Sequence, residues 1–295
     1  MNLALLTELF AVIGPVFIIA GIGFCWGKSG RAFDTNQMAP IITFIGTPCL
    51  ILSTLLKVNL SITTIVEMSM IAASAIAIFG VAGYFILRIF NLPYRPYLPS
   101  LMFSNGGNMG LPLCLFAFGE KGLALGVAYY SVLAIGQFTI GQALASGHAS
   151  LIKLLKTPLV WAIILALILI TTNTQLPRWT SNTINLLGQF TIPLMILTLG
   201  ISLSRLQVKN LNRSGAMACL RIFGGYAVGY LLTILFGLEG IAKGVVIIQA
   251  GMPVAVFNYL FAQLHDNRPT EVAGMIVLST VLSFITLPFI LIFLL

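Results

Sequence analysis

Apolar positions in this chain fall in long, nearly unbroken blocks. They show neither the strict alternation of half-buried strands nor the one-sided stripe of surface helices. Clear examples are Ile13–Phe24, Ile71–Leu87, Leu159–Ile170 and Gly274–Leu295. A block of about 20 apolar residues matches an α-helix long enough to cross a bilayer. Reading the blocks between turn and charge signals predicts ten such helices, near 6–27, 37–56, 65–88, 97–118, 122–146, 157–173, 182–203, 214–236, 241–262 and 272–294. The breaks between them carry turn and charge chemistry, among them "GKSGRAFDTN", "NLPYRP", "FGEKG", "TNTQLPRW", "SRLQVKNLNRS" and "LHDNRPTE". No break is long enough to hold a second domain. The expected fold class is an all-α membrane protein.

Composition agrees. Of 295 residues, 59% are hydrophobic and only 7% charged, whereas an ordinary globular domain carries about 25% charged residues. The opening "MNLALLTELFAVIGPVFIIAGIGF" lacks a basic leader and a small-residue cleavage site, so it reads as a retained first span. Cys25, Cys49, Cys114 and Cys219 stand singly inside apolar runs. Their spacing suggests neither a metal site nor a disulfide framework, and they read as packing residues.

The net charge of +8 would suggest a polyanionic partner in a soluble protein. Its distribution points instead to topology, with no nucleic-acid partner. Loops after odd-numbered spans hold Lys28, Arg31, Arg88, Arg95, Lys153, Lys156, Arg205, Lys209, Arg213 and Arg268, ten in all; loops after even-numbered spans hold Lys57, Lys121, Arg178 and Lys243, four in all. Positive residues accumulate on the cytoplasmic side. Both termini are therefore expected to be extracytoplasmic, in a multi-pass protein of a bacterial-type inner (plasma) membrane.

The two halves resemble one another. "PCLILST" from Pro48 and "PLMILTL" from Pro193 share the proline, the Ile-Leu pair and the hydroxyl after it (193 − 48 = 145). "GYF" at Gly83 pairs with "GYL" at Gly229 (229 − 83 = 146), and "GLPLCLF" at Gly110 with "GMPVAVF" at Gly251 (251 − 110 = 141). Three matches in one order at nearly constant offset predict two five-helix repeats, 1–147 and 148–295. Five is odd, so the second copy must be inverted. Inverted repeats with interrupted helices near the midplane are a recurring plan of secondary transporters.

The third match carries the candidate chemistry. "NGGNMGLPL" (Asn105–Leu113) puts two asparagines, three glycines and a proline in the middle of predicted span four. A mid-helix proline removes one N–H and frees the carbonyl four residues earlier. For Pro112 and Pro253 those carbonyls belong to Asn108 and Gln249, both carrying primary amides (249 − 108 = 141). Gly110 and Gly251 add the latitude to unwind. Irregular backbone at membrane depth is tolerated where it lines a cavity or is buried in protein. Spans four and nine are thus expected to break within a few residues of Pro112 and Pro253 and to meet near the midplane. There they would offer Asn105, Asn108, Gln249 and Asn258 to a ligand, with Asn105 and Asn108 on one helical face. The competing reading is a packing notch or simple kink.

These residues resemble the auxin efflux carrier family, which includes bacterial malonate/malate permeases and plant PIN carriers. "NGGNMGLPL" is similar to the family's fourth-span Asn followed by Met-Gly-hydrophobic-Pro. Gln249–Pro288 resembles its ninth-span proline crossover and final span, and "LKTPLVWAIILALIL" resembles the start of its sixth span. The resemblance covers essentially the whole chain. It implies a plan like that of sodium/bile-acid symporters or sodium–proton antiporters, with crossing broken helices four and nine. It further implies a scaffold of spans 1, 2, 6 and 7, a mobile core of spans 3–5 and 8–10, elevator-type movement and a homodimer. Asn105 falls on the family's substrate-contacting asparagine. The long hydrophilic central loop of many plant members is absent, "ASGHASLIKLLK" standing in its place.

Arg221 is the one basic residue well inside a predicted span, roughly 10 Å past its start at 1.5 Å per residue. It reads either as an anion-contacting or gating residue or as a side chain that snorkels to the headgroups. Glu8, Glu67, Glu120, Glu239 and Glu271 fall near span ends, and Asp34 and Asp266 in loops, which argues against a buried carboxylate proton relay. His148 and His265 read as solvated loop residues. Gln137 and Gln142 read either as cation ligands or as interhelical hydrogen bonders. HExxH, GxSxG and a phosphate-cradling glycine loop are all absent, so no enzyme, cofactor or metal site is expected. The expected function is transport of a small organic anion, a mono- or dicarboxylate or an auxin-like acid, alone or coupled to H⁺ or Na⁺. The alternatives are a sodium-coupled carrier of the bile-acid-symporter type and a membrane-embedded ligand sensor.

Overall fold

A computed structural model describes residues 3–58, 60–148, 157–208 and 210–294. Lys153, Lys156 and Lys209, three of the basic residues used to orient the chain, lie outside the described residues. Within them the chain is helical: α1 (Leu3–Lys28), α2 (Thr35–Ile41), α3 (Thr47–Val58), α4 (Ile62–Ile89), α5 (Tyr94–Met102), α6 (Leu111–Gly136), α7 (Gln142–Ser146), α8 (Pro158–Thr171), α9 (Arg178–Arg205), α10 (Leu211–Leu235), α11 (Gly240–Gly251), α12 (Phe257–Leu264) and α13 (Pro269–Leu294). Wider π-turns at Ile42–Gly46, Gly106–Gly110 and Gln137–Gly141 join α2 to α3, lead into α6, and join α6 to α7.

Among the described residues, seven helical stretches are long and apolar enough to cross a membrane, and α8 and α11 are shorter apolar helices. The difference from ten expected spans has a physical source. The fourth and ninth blocks lack continuous backbone, and the described helix of the sixth, α8, has 14 residues. The fifth block joins the end of the fourth in one helical stretch of 41 residues, Gly106–Ser146. Inside it Gly119 takes φ 64°, ψ −158° and turns the chain, a conformation open to glycine at little cost.

Packing follows small side chains. α1 and α9 lie against each other where a Cβ on Gly23 would press on the Leu197 carbonyl, and one on Gly200 on the Ala20 carbonyl. Close backbone approach at glycines is a usual contact between membrane helices. α3 and α8 join this pair, while α4–α6 and α10–α13 pack chiefly among themselves. Phe10, Trp179, Phe289 and Phe293 point outward and are more than half exposed. An apolar surface of that kind needs a covering, and a bilayer provides it.

One polar corner lies at the starts of α5, α10 and α13. The Tyr97 hydroxyl donates to Glu271, whose carboxylate also receives Asn210 Nδ2 (3.3 Å), Arg213 (3.5 Å) and Arg268 (3.4 Å). The Ser214 hydroxyl closes the corner on the Glu271 carbonyl at 3.0 Å. Glu271 thus ties three helix starts together, a role its place at a span end did not disclose.

Candidate functional site

Two interrupted helices cross in the middle of the fold. α5 ends at Met102, Phe103 and Ser104 are extended, Asn105 bends the chain, and the helix resumes through the Gly106–Gly110 π-turn. α11 ends at Gly251 and α12 begins at Phe257. The unwound segments run antiparallel and pair as one β-bridge, Ser104 with Val254. Asn105 N–H donates to the Pro253 carbonyl (2.7 Å), and Ala255 N–H donates to the Phe103 carbonyl (3.2 Å).

The two prolines act differently. Pro253 lies inside its break, as expected, and the carbonyl it frees, that of Gln249, accepts the Ser104 hydroxyl at 3.0 Å. The break in the other strand lies at residues 103–105, some seven residues ahead of Pro112, not beside it. Pro112 lies inside the helical stretch that starts at Gly106, and the wider spacing of the π-turn before it accommodates its missing N–H. The stretch before it widens to π spacing, with both Met109 and Gly110 N–H on the Asn105 carbonyl (3.2 Å each).

Other open backbone groups are met by side chains. Ser279 Oγ accepts the Val254 N–H at 3.1 Å. Arg221 is buried and does not reach outward: Nη1 donates to the Leu101 carbonyl (3.2 Å) and Nη2 to the Ala250 carbonyl (2.6 Å). These are the C-terminal ends of α5 and α11, where helix dipoles place partial negative charge. The guanidinium also lies 4.5 Å over the Phe79 ring. Asn258 is fully engaged: its Nδ2 donates to the Pro99 and Phe103 carbonyls (3.3 Å each), and its Oδ1 accepts from Gln137 Nε2 (3.4 Å).

What remains open is specific. Asn105 Nδ2, Gln249 Oε1 and Arg221 Nε are buried without a hydrogen-bond partner. The positive N-terminal ends at Gly106 and Phe257 carry no side-chain cap. Gln249 lies so close over the π-turn that a Cβ on Gly106 or Gly110 would come within 2.5 or 2.7 Å of its Oε1. Gly251 packs in the same way against the Tyr226 ring.

Of the residues read from the sequence, Asn105, Gly110, Gln249, Gly251, Pro253, Asn258 and Arg221 are therefore at the crossing, with Pro112 just beyond it. Asn108 stands apart. It lines a cavity of about 250 Å³ between the crossing and α9, with Thr198, Ser202 and Arg205 opposite. The shared face expected for Asn105 and Asn108 assumed α-helical spacing, but Asn105 has ψ 49° and a π-turn follows it. Ser104, Ser279 and Thr198 were not picked out from the sequence. A serine or threonine in an apolar span has no local mark that separates a backbone cap from a packing residue.

Residues 142–291 match the profile of a family described as membrane transport protein. The chain is similar to an uncharacterized transporter of Methanocaldococcus jannaschii, 27% identical over 197 residues, which take in 63% of this chain and 64% of that protein. It is also similar to an uncharacterized transporter of Methanothermobacter thermautotrophicus, 23% identical over 266 residues, or 86% of this chain and 87% of that one.

Proposed function

The chain belongs to the membrane transport protein family, that of the auxin efflux carriers, and from that premise we propose that it carries a small organic anion, a mono- or dicarboxylate, by alternating access. The observation that carries this reading is the pair of open amide atoms at the crossing, Asn105 Nδ2 above all. A buried donor left unpaired costs roughly 1–3 kcal/mol, and a ligand oxygen would remove that cost. Two uncapped helix N-termini add favourable potential for negative charge. Arg221 meanwhile neutralises the opposite, C-terminal ends.

Ten crossings in two inverted halves supply the frame for this reading. α1, α3, α8 and α9 would form the scaffold and α4–α6 with α10–α13 the moving core, a division supported by how these helices pack. The elevator movement, the homodimer and the outward-facing termini belong to the same proposal. A second reading, coupling to a cation such as Na⁺, draws on Gln249 Oε1, an unpartnered acceptor unsuited to a bare carboxylate. Uptake that is unchanged when Na⁺ is replaced would dismiss it.

The test is binding to the purified protein, read as thermal stabilisation by carboxylates. Losing a hydrogen bond to a charged group costs roughly 1.5–3 kcal/mol, so Asn105→Ala should weaken binding about ten- to hundredfold. Asn105→Asp should be worse, since it adds a like charge. An aspartate variant that binds carboxylates as well as wild type would refute an anion at this position.

A further inference from the structure

We propose that Thr198, Ser202 and Arg205 of α9 form the stationary half of the substrate site, an anion-binding stripe that faces the crossing across the 250 Å³ cavity. The proposal rests on the transport reading above and adds to it residues outside the broken helices. Spacing of i, i+4 and i+7 places the three on one helical face. Asn108 stands across the cavity from them, and Val256, Phe257 and Leu260 give it an apolar wall. The lining holds a guanidinium and no carboxylate. Such a space suits a small carboxylate with a hydrocarbon body.

Thr198 points to a ligand independently. It is 8% exposed, and its hydroxyl has no hydrogen-bond partner. A threonine inside a helix ordinarily bonds the carbonyl one turn back. On this same helix Thr183 does so to Trp179 at 2.8 Å, and Thr191 to Leu187 at 2.7 Å. The Thr198 hydroxyl is left open beside the cavity. Arg205 is held at the rim by Nη2 on the Phe33 carbonyl (2.8 Å) and joins none of the ion pairs among the described residues.

The first half of the chain carries a different stripe at the same register, with Leu60 where Arg205 stands (205 − 60 = 145). Ser53 and Lys57 of α3 correspond in register to Thr198 and Ser202 (198 − 53 = 145; 202 − 57 = 145). They line a separate cavity of about 220 Å³ among α3, α6 and α9, with Asn185 and Gln189 of α9 in its wall. There Lys57 meets the Glu120 carboxylate at 2.8 Å. Lys57 thus has a carboxylate of the chain itself as its partner, while Arg205 has none among the described residues. In the proposed cycle α9 stays in place as the crossing moves, so the stripe would hold the anion on one side of the membrane only.

Full-length protein in proteoliposomes tests this with labelled butyrate and succinate as probes. KM and kcat would be measured alongside melting temperature for Thr198→Val, Arg205→Gln, Arg205→Lys and Asn105→Ala. Thr198→Val removes an unpaired buried hydroxyl at nearly constant shape, so a packing role predicts equal or higher stability with unchanged transport. The proposal predicts equal or higher stability with a KM raised about tenfold, the weight of one charge-assisted hydrogen bond. Arg205→Gln should raise KM by at least as much, and Arg205→Lys should recover part of it. Wild-type KM in both Thr198→Val and Arg205→Gln, with Asn105→Ala impaired, overturns the stripe and leaves the transport reading standing. A wild-type protein that neither moves nor is stabilised by either probe overturns the carboxylate reading, and the stripe falls with it.

Discussion

Arg221 and Asn105 lie in the same crossing, and their hydrogen bonding makes opposite demands on substitution. The guanidinium spends both terminal nitrogens on carbonyls at two helix ends. Arg221→Leu would strand both carbonyls in an apolar interior, at about 1–3 kcal/mol for each unsatisfied group. The expected result is a clear fall in melting temperature of the ligand-free protein. Asn105→Ala removes a buried amide nitrogen that has no partner to lose, so ligand-free stability should equal or exceed wild type. Melting both variants without substrate checks the pair. Equal melting temperatures for Arg221→Leu and wild type would show that the arginine does not cap these ends. Neither role proposed for Arg221 from sequence, anion contact or snorkelling, anticipates a brace between two broken helices. Only the folded chain brings Leu101 and Ala250 to one side chain.

At the scale of the element, glycine positions separate tight crossings from open helix faces. A Cβ on Gly110 would lie 2.7 Å from Gln249 Oε1 and 3.0 Å from its Cδ. Gly110→Ala must displace Gln249 or shift the π-turn, and overpacking of this kind costs about 1–3 kcal/mol. Gly14 and Gly21 of α1 have nothing within 4 Å of the corresponding point. Alanine there should be neutral or stabilising by up to about 1 kcal/mol, through helix propensity. Thermal unfolding of Gly110→Ala beside Gly14→Ala and Gly21→Ala reads the contrast directly. Most of these helices were legible in the sequence because about 20 apolar residues in a row leave few other structures open. The position of the first break was not. Pro112 marks a place where a backbone bond is missing, yet the chain absorbs that loss in a π-turn and unwinds earlier, where Val254 and Ser104 can pair.

Across the whole molecule, Lys57 on α3 and Glu120 beside the Gly119 turn link the two groups of helices at 2.8 Å. Both side chains are more than half exposed, so the pair adds little to stability. Its use is as a reporter of relative movement. Cysteines at 57 and 120, in a background without Cys25, Cys49, Cys114 and Cys219, can be joined by a short bifunctional thiol reagent. In an elevator the joined protein should bind carboxylates and fail to transport them. Transport at the unjoined rate would show that these two points do not separate during the cycle.

Sequence alone determined the solvent of this protein, its helical class and the region where two of its helices are interrupted. Those follow from local facts: apolar runs, a proline without an N–H, and glycines beside amides. Pairing between positions far apart in the chain was decided only by tertiary structure. Asn258, read as a ligand contact, is consumed by the Pro99 and Phe103 carbonyls. Asn108, read as a neighbour of Asn105, faces α9 across a cavity. Ser104 and Ser279 close backbone groups about 145 and 25 residues away, respectively. Whether an amide or hydroxyl is satisfied or left open depends on the groups that arrive beside it when helices pack. Local sequence states what each side chain can donate, and the packing of distant segments determines which donors remain for a ligand.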